Sequence, residues 1–178
     1  MRHTVKKSGL GVVLVGWLLM SAGCVSFGPP LKTAGFVDLN KYVGVWYEIA
    51  RYPNTFQGGC EDTTATYELM DDGRVSVLNR CVKGDYVDTI QGTARVVDPD
   101  TNAKLKVQFF WPFEGDYWIL AVGDDYQWAL VGEPSRSMLW ILARQSQISD
   151  AEYDSMIGML PDFGYDADRL IRTPQSER

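Results

Sequence analysis

Between residues 43 and 144, short runs rich in Val, Tyr, Phe, Trp and Thr alternate with turn signals that contain Asp, Gly and Pro. Polar and apolar residues alternate within 63–70 and within 104–111. A period of two places one face of a strand in water and the other in a core. Many short, evenly spaced strands are typical of a sandwich or a barrel. The pattern predicts eight strands, at 43–52, 63–70, 74–82, 86–97, 104–111, 116–122, 127–132 and 138–144.

The pattern changes to a helical period after Arg144. Ser149 and Glu152 have the spacing of a capping box, which favours a helix start at about residue 150. The apolar residues that follow at helical spacing are Tyr153, Met156, Ile157 and Leu160. A helix this short is stable only when its apolar stripe is packed, so we expect it to lie outside the β structure. A short extended tail is expected around 168–172.

The first 23 residues have the pattern of an export signal. Three basic residues and no acidic one precede an apolar run at 10–20. That run has 11 residues, whereas a membrane-spanning helix needs about 20. The run ends in small residues followed by Cys24, which resembles the site cut by the bacterial lipoprotein signal peptidase. We therefore predict a signal peptide at 1–23 and lipidation of Cys24, with an ordinary secretory cut near Ala22 as the alternative.

Division of the chain at Cys24 changes the net charge and the residue content of the part that is expected to fold. A Gly/Pro-containing segment at 24–35 suits a tether, and the folded domain is predicted at 36–178. Removal of 1–23 takes away the only histidine and three basic residues, leaving 14 basic against 23 acidic side chains, a formal charge of −9. A chain without histidine has no Ser-His or Cys-His pair and no His-ligated zinc or haem. We predict no enzyme activity, no cofactor, no metal site and no nucleic-acid partner.

Cys60 and Cys81 form an even pair in a domain predicted to be exported, which favours a disulfide. Strand parity opposes the pairing, because Cys81 shares the parity of inward-facing Val77 whereas Cys60 has the opposite parity to Ala65. A bridge therefore requires a β-bulge, or a Cys60 that lies outside the ladder. We predict the Cys60–Cys81 disulfide; two free thiols are the alternative.

Three motifs occur in order along the chain. Gly44 and Trp46 form a G-x-W motif on the first predicted strand, and Arg144 ends the run Leu-Trp-Ile-Leu-Ala-Arg just before the helix. A T-D-Y motif between them is poorly kept and matches only at Asp124. Over 36–172 the chain resembles the lipocalin family. With its lipoprotein-like leader, it resembles the bacterial lipocalins, outer-membrane lipoproteins that bind fatty acids and lysophospholipids.

The resemblance implies an all-β fold, an eight-stranded antiparallel up-and-down barrel with one C-terminal helix packed outside. It also implies that Arg144 packs across Trp46 at the closed end, with Gly44 and Asp124 as further signature positions. The polar-out rule and the lipocalin register together predict which residues face the cavity, and tyrosine hydroxyls are expected near its mouth. The predicted cavity-lining residues are Ala50, Ala65, Tyr67, Val77, Val107, Phe109, Tyr117, Ile119, Ala129 and Trp140.

Glu48 is predicted to face inward, two residues beyond Trp46. A buried carboxylate must be paired or neutral. Two interpretations stay open. Glu48 is either a polar anchor inside the cavity or a satisfied carboxylate near the closed end, paired with an arginine or a backbone N–H.

The predicted function is storage or transport of a fatty acid or lysophospholipid inside the barrel. Acylated Cys24 would anchor the protein in the outer membrane, facing the periplasm, because Val25 stands where an inner-membrane retention signal would place Asp. Two alternatives remain, a barrel enzyme of the thiol-isomerase type and a scaffold protein whose barrel is filled. A homodimer is left open.

Overall fold

The computed structural model describes residues 29–176, so the predicted signal peptide and Cys24 lie outside the described residues. Each of the eight barrel strands pairs with the strands that precede and follow it in the sequence, and β1 also pairs with β8, which closes the sheet. The predicted eight-stranded antiparallel barrel is confirmed. Its strands are β1 (Gly44–Arg51), β2 (Glu61–Leu69), β3 (Val75–Lys83), β4 (Tyr86–Val96), β5 (Lys104–Phe110), β6 (Phe113–Val122), β7 (Trp128–Gly132) and β8 (Leu139–Ala143).

Up-and-down connections place successive loops at opposite ends of the barrel. The β1–β2, β3–β4, β5–β6 and β7–β8 connections lie at one end, which we call the mouth. The other three connections lie at the closed end, together with the short helix α1 (Leu39–Tyr42). The sequence pattern did not predict α1, because four residues are too few to show a helical period. The Asp38 side chain caps it by accepting a hydrogen bond from the Asn40 N–H at 3.0 Å.

Two strands extend further toward the mouth than predicted. β2 begins at Glu61 and β6 at Phe113, two and three residues before the predicted starts. The ladder between β5 and β6 continues to the pair Phe110 and Phe113, so the turn at the mouth is a tight one. The segment 112–115, which separates the two predicted strands, is therefore mostly strand.

The predicted helix lies on the outside of the barrel as α2 (Asp150–Gly158), which confirms the expected architecture. Ser149 and Glu152 form the capping box, and a 3-10 turn follows at Leu160–Phe163. Met156 and Leu160 are fully buried against the outer faces of the strands, in a cluster that includes Leu130. Each such buried side chain contributes about 1.5–3 kcal/mol to docking the helix.

The described part of the predicted tether contacts the barrel. The Arg136 side chain, in the β7–β8 connection, donates to the Pro29 carbonyl at 2.9 Å. Leu31 is buried in the outer cluster, and the Val37 N–H donates to the carbonyl of Thr101 at the closed end at 2.7 Å. The segment therefore runs along the barrel from the mouth to the closed end. Between residues 29 and 176, no helix is long and apolar enough to cross a bilayer.

The C-terminal tail completes the wall between β1 and β2. These strands pair only over Gly44–Tyr47 and then diverge toward the mouth. The short strand β9 (Ile171–Arg172) pairs with the end of β1, and the Thr173 N–H donates to the Ile49 carbonyl at 3.0 Å. The tail thus occupies the position that a longer β1–β2 ladder would take.

Candidate ligand-binding site

Side chains that face the barrel interior form one cluster, and side chains between the barrel and α2 form another. Nine of the ten predicted cavity-lining residues belong to the interior cluster. The polar-out rule, together with the lipocalin register, therefore identified the inward faces of β2, β3, β5, β6, β7 and β8. The nine residues are Ala65, Tyr67, Val77, Val107, Phe109, Tyr117, Ile119, Ala129 and Trp140.

Ala50 is the exception, and its predicted place in the cavity is wrong. The pairing of β1 with β8 shifts by one residue between Glu48 and Ala50. Beyond this bulge Ala50 pairs with Ile141, and both side chains lie in the outer cluster. One extra residue reverses the parity of every later position on the strand, so simple alternation fails there.

Trp46 and Arg144 occupy the closed end in the predicted arrangement. The guanidinium carbon lies 3.8 Å from the centre of the buried Trp46 ring, which is cation–π distance. Arg144 Nη2 also donates to the carbonyls of Lys41, Tyr42 and Val43, at 2.8 to 3.0 Å. Arginine thereby binds the last turn of α1 and covers the ring at the same time.

Gly44 lies against Arg144 at the closed end, whereas Asp124 makes no described contact with Arg144. Gly44 has a φ of +100°, and a Cβ there would lie 3.2 Å from Arg144 Nη1, so both backbone and space favour glycine. Asp124 is exposed in the β6–β7 turn. The contacts from this turn to the closed end come from Tyr126, whose hydroxyl accepts from the Asp38 N–H at 2.9 Å and whose carbonyl accepts from Arg144 Nε at 3.2 Å.

Three tyrosine hydroxyls meet inside the barrel. The Tyr117 oxygen lies 2.8 Å from that of Tyr42 and 2.9 Å from that of Tyr67. Burial raises the pKa of Tyr67 to about 12 and raises the pKa values of Tyr42 and Tyr117 well above their usual range. The hydroxyls therefore stay neutral. The expectation of tyrosine hydroxyls near the mouth is wrong, because these side chains reach toward α1 at the closed end.

A small cavity of about 10 Å³ lies beside this tyrosine cluster. A volume of this size holds about one water molecule, whereas pockets for small ligands have roughly 300–1,000 Å³. An acyl chain therefore has no room at the closed end. The cavity is lined by Leu39, Tyr42, Val43, Tyr67, Val75, Ala94, Leu105, Val107 and Tyr117.

The half of the interior nearer the mouth is accessible to solvent. Gly115 pairs with inward-facing Val107, yet it is exposed. The apolar side chains of Ile90, Phe109 and Trp140 also lie at inward positions toward the mouth, and each is only half-buried. We call the part of the interior lined by these four residues the mouth half. It offers an apolar surface that is open at one end.

A buried polar cluster lies between β1, the β1–β2 connection and the C-terminal tail. Glu48 Oε1 accepts from the Thr173 hydroxyl at 2.6 Å, and Oε2 accepts from the Gln57 amide at 2.6 Å. Arg51 Nη1 lies 3.5 Å from the same carboxylate. The Trp140 indole N–H donates to Gln57 Oε1 at 3.0 Å, which ties this cluster to the mouth half. Burial raises the pKa of the Glu48 carboxyl, although the hydrogen bonds and the Arg51 charge act in the opposite direction.

Glu48 is thus a satisfied carboxylate paired with an arginine, which is the second of the two interpretations given above. Its expected place near the closed end is wrong, since its partners come from the mouth connection and the C-terminal tail. Sequence reasoning did not find Arg51, Gln57 or Thr173. An inward carboxylate requires a partner, but strict alternation places Arg51, three residues further along the strand, on the opposite face, and the bulge in β1 brings it to Glu48. Nothing in the periodicity indicated a residue as distant in sequence as Thr173.

The predicted disulfide between Cys60 and Cys81 is confirmed. Cys60 precedes β2, and the β2–β3 register shifts between Glu61 and Thr64, so both of the alternative irregularities that reconcile the bridge with strand parity are present. A thiol-based reaction at either cysteine would require the free thiol that this bridge consumes. Among the described residues, no three His, Cys, Asp or Glu side chains are grouped so that they could hold a metal.

Comparison with known proteins agrees with this geometry. A family model described as a lipocalin-like domain matches residues 37–175. The chain is 42% identical over 150 residues to temperature-induced lipocalin-1 of Arabidopsis thaliana, covering 79% of this chain and 81% of that protein. It is 38% identical over 156 residues to the outer membrane lipoprotein Blc of Escherichia coli K12, covering 85% of this chain and 88% of the relative. The Vibrio cholerae protein of the same name is 36% identical over 157 residues, covering 86% and 91%.

Solved structures share the same fold at lower identity. Insecticyanin from the tobacco hornworm Manduca sexta superposes with a TM-score of 0.68 at 23% identity. The match covers 84% of this chain and 86% of insecticyanin. At this identity, the likeness shows the fold alone.

Proposed function

The chain belongs to the lipocalin family, and from this premise we propose that it binds a fatty acid or a lysophospholipid. Lipocalins bind small hydrophobic ligands, and the proposal narrows that class to lipids with one acyl chain. The ligand would be held for storage or transport in the bacterial envelope, without catalysis.

The observation that carries the proposal is the apolar lining of the mouth half. Ile90, Phe109 and Trp140 face inward and remain half-buried, whereas inward Leu105, nearer the closed end, is buried. An acyl chain lying against these side chains would remove apolar surface from water. Full burial of about 16 methylenes contributes on the order of 12 kcal/mol before ordering costs. Micromolar affinity needs about 8 kcal/mol net of those costs, so apolar contact alone reaches it when most of the acyl chain is buried.

The proposal includes an envelope location. Lipidated Cys24 would hold the chain in the outer membrane, facing the periplasm. Three observations support this location: the lipoprotein-like leader, Val25 after the cysteine, and relatives named outer membrane lipoprotein. Two or more acyl chains on one anchor give stable membrane attachment.

Titration with a fluorescent fatty acid and a fluorescent lysophospholipid tests the proposal, using a chain that begins at residue 25. Residues 29–176 contain the closed barrel, both hydrophobic clusters and the disulfide, so this chain keeps every described contact. The decisive variant is Gly115→Phe. A Cβ at Gly115 meets only the Val107 carbonyl, at 4.0 Å, so a side chain at this inward position begins in open space and extends into the mouth half.

We expect the wild-type chain to bind the probes and Gly115→Phe to bind at least about tenfold more weakly, because the ring occupies the ligand's space. Gly158→Phe is the matched control, since a Cβ at Gly158 meets nothing within 4 Å and α2 lies outside the barrel. Equal affinities for wild type and Gly115→Phe would contradict the proposed site.

A filled barrel with a scaffold role is the second candidate. The volume of about 10 Å³ beside the tyrosine cluster favours it, because this end of the interior is already packed with side chains. If the barrel is filled, neither the wild-type chain nor its variants should bind either probe. The same titration therefore separates the two functions.

A further inference from the structure

Large apolar side chains are exposed around the mouth. In the β5–β6 turn, Trp111 is 85% exposed, Phe113 77% and Phe110 67%. Tyr86, in the β3–β4 turn, and Phe56, in the β1–β2 connection, are also exposed. We call these five residues the apolar rim. A soluble monomer rarely exposes so many large apolar groups in one region, and such a surface marks an interaction site.

The two ends of the barrel differ in chemistry. The three closed-end connections carry six aspartates. At the mouth, the β5–β6 turn at 110–113 and the β1–β2 connection at 52–60 contain no charged residue, while the other two connections carry Asp85, Glu133 and Arg136. Carboxylates favour water, and exposed aromatic side chains favour the boundary between water and acyl chains. The molecule therefore has one end suited to solvent and one end suited to a lipid surface.

The N-terminal segment leads to the same end. Pro29 is held at the mouth by the Arg136 side chain, and Cys24 lies five residues earlier in the sequence. Five residues span at most about 18 Å in any conformation. An acyl group on Cys24 would thus enter a membrane on the side of the mouth. This step rests on the lipid anchor of the proposed function.

We propose that the apolar rim is a membrane-contact surface that holds the mouth of the barrel against the bilayer. Trp111 and its neighbours enter the interfacial layer of a zwitterionic membrane, while the acidic closed end points away from it. A lipid with one acyl chain then passes between membrane and barrel without crossing bulk water. The rim acts through apolar burial and not through attraction to anionic lipids, since the chain carries a net negative charge.

Flotation with vesicles of phosphatidylethanolamine and phosphatidylcholine tests the surface without the anchor, using the chain that begins at residue 25. We expect this chain to float with the vesicles. Trp111→Ser combined with Phe113→Ser should lower the partition coefficient at least about tenfold, because two interfacial aromatic side chains are lost. Phe36→Ser is the matched control. Phe36 is 60% exposed, but it precedes Val37, which is bonded to Thr101 at the closed end, so this variant should partition like wild type.

Two results would overturn the membrane-contact surface. One is equal flotation of the wild-type chain and the Trp111/Phe113 double variant. The other is a wild-type chain that stays off the vesicles but forms a dimer that the double variant does not form, which would make a second copy of the chain the occupant of the rim. Analytical sedimentation of both proteins without vesicles measures whether each is a monomer or a dimer.

Probe titration in solution separates this inference from the proposed function. The double variant should bind the fluorescent fatty acid with wild-type affinity, because Trp111 and Phe113 are 85% and 77% exposed and the four residues that line the mouth half are unchanged. Loss of probe binding in the double variant would make the rim part of the ligand site and overturn the inference. A wild-type chain that floats but binds no probe would contradict the proposed function and leave the membrane contact intact.

Discussion

Arg144 shows how one side chain can link separate parts of a barrel. A planar guanidinium offers five N–H donors in a fixed geometry, and here they reach backbone carbonyls from α1 to the β6–β7 turn while the charge covers the Trp46 ring. A lysine ammonium keeps the charge but cannot reach these acceptors together. The identity of the residue matters here as much as its charge.

Replacement of Arg144 by lysine should lower the free energy of unfolding by about 2 kcal/mol, because several charged hydrogen bonds are lost at a half-buried site. Urea unfolding followed by circular dichroism measures the change. Arg95→Lys is the matched control, since Arg95 pairs at the surface with Glu114 and its replacement should leave the urea midpoint nearly unchanged. Similar small changes in both variants would contradict the role of Arg144.

Glu48 gives a pH dependence of defined sign. Burial raises the pKa of its carboxyl, so the folded chain holds this proton more tightly than the unfolded chain does. The free energy of unfolding of wild type relative to Glu48→Gln should therefore rise as the pH falls through the raised folded pKa. It should level off below the unfolded pKa.

Urea unfolding at a series of pH values measures this difference. Glu114→Gln is a control of opposite sign, because the side-chain hydrogen bond from Arg95 lowers the pKa of the Glu114 carboxyl. Wild type relative to Glu114→Gln should lose stability as the pH falls. Trends of the same sign for both glutamates would contradict the environment assigned to Glu48.

At the scale of elements, alternation predicted regular strands and failed where the chain is irregular. β2 and β5 have clear polar-out faces, and their predicted cavity-lining residues belong to the interior cluster. β1 contains a bulge that no residue in the sequence predicts, so Ala50 was assigned to the wrong face of the strand. The wall between β1 and β2 is completed by the C-terminal tail, a contact between distant parts of the sequence that local patterns cannot show.

The disulfide joins the mouth end of the β2–β3 hairpin to the residue before β2. Cys60 and Cys81 are 21 positions apart, and closing a loop of that length in the unfolded chain stabilises the fold by about 3 kcal/mol. Replacing both cysteines by serine should therefore lower the urea midpoint of unfolding. A reducing agent should lower the midpoint of the wild-type chain but not that of the double variant. Two reactive thiols in the unreduced, denatured chain that begins at residue 25 would contradict the bridge.

At the scale of the whole molecule, the barrel was predictable and the distribution of space inside it was not. Short strands and three family motifs were enough to predict the architecture, because they depend on local sequence. Whether the interior is open depends on how far long side chains reach. The hydroxyls of Tyr42, Tyr67 and Tyr117 meet near the closed end, whereas the apolar lining of the mouth half stays accessible. The predicted cavity is thereby shortened.

Quenching of tryptophan fluorescence by a fatty acid brominated along its chain tests the position of the ligand most directly. Bromine quenches an indole that it touches, and Trp140 lines the mouth half while Trp46 lies buried at the closed end. Titration into the chain that begins at residue 25 should quench part of the emission, and Trp140→Phe should remove that quenched part. Absence of quenching in the wild-type chain, or equal quenching in Trp140→Phe, would contradict a lipid bound in the mouth half.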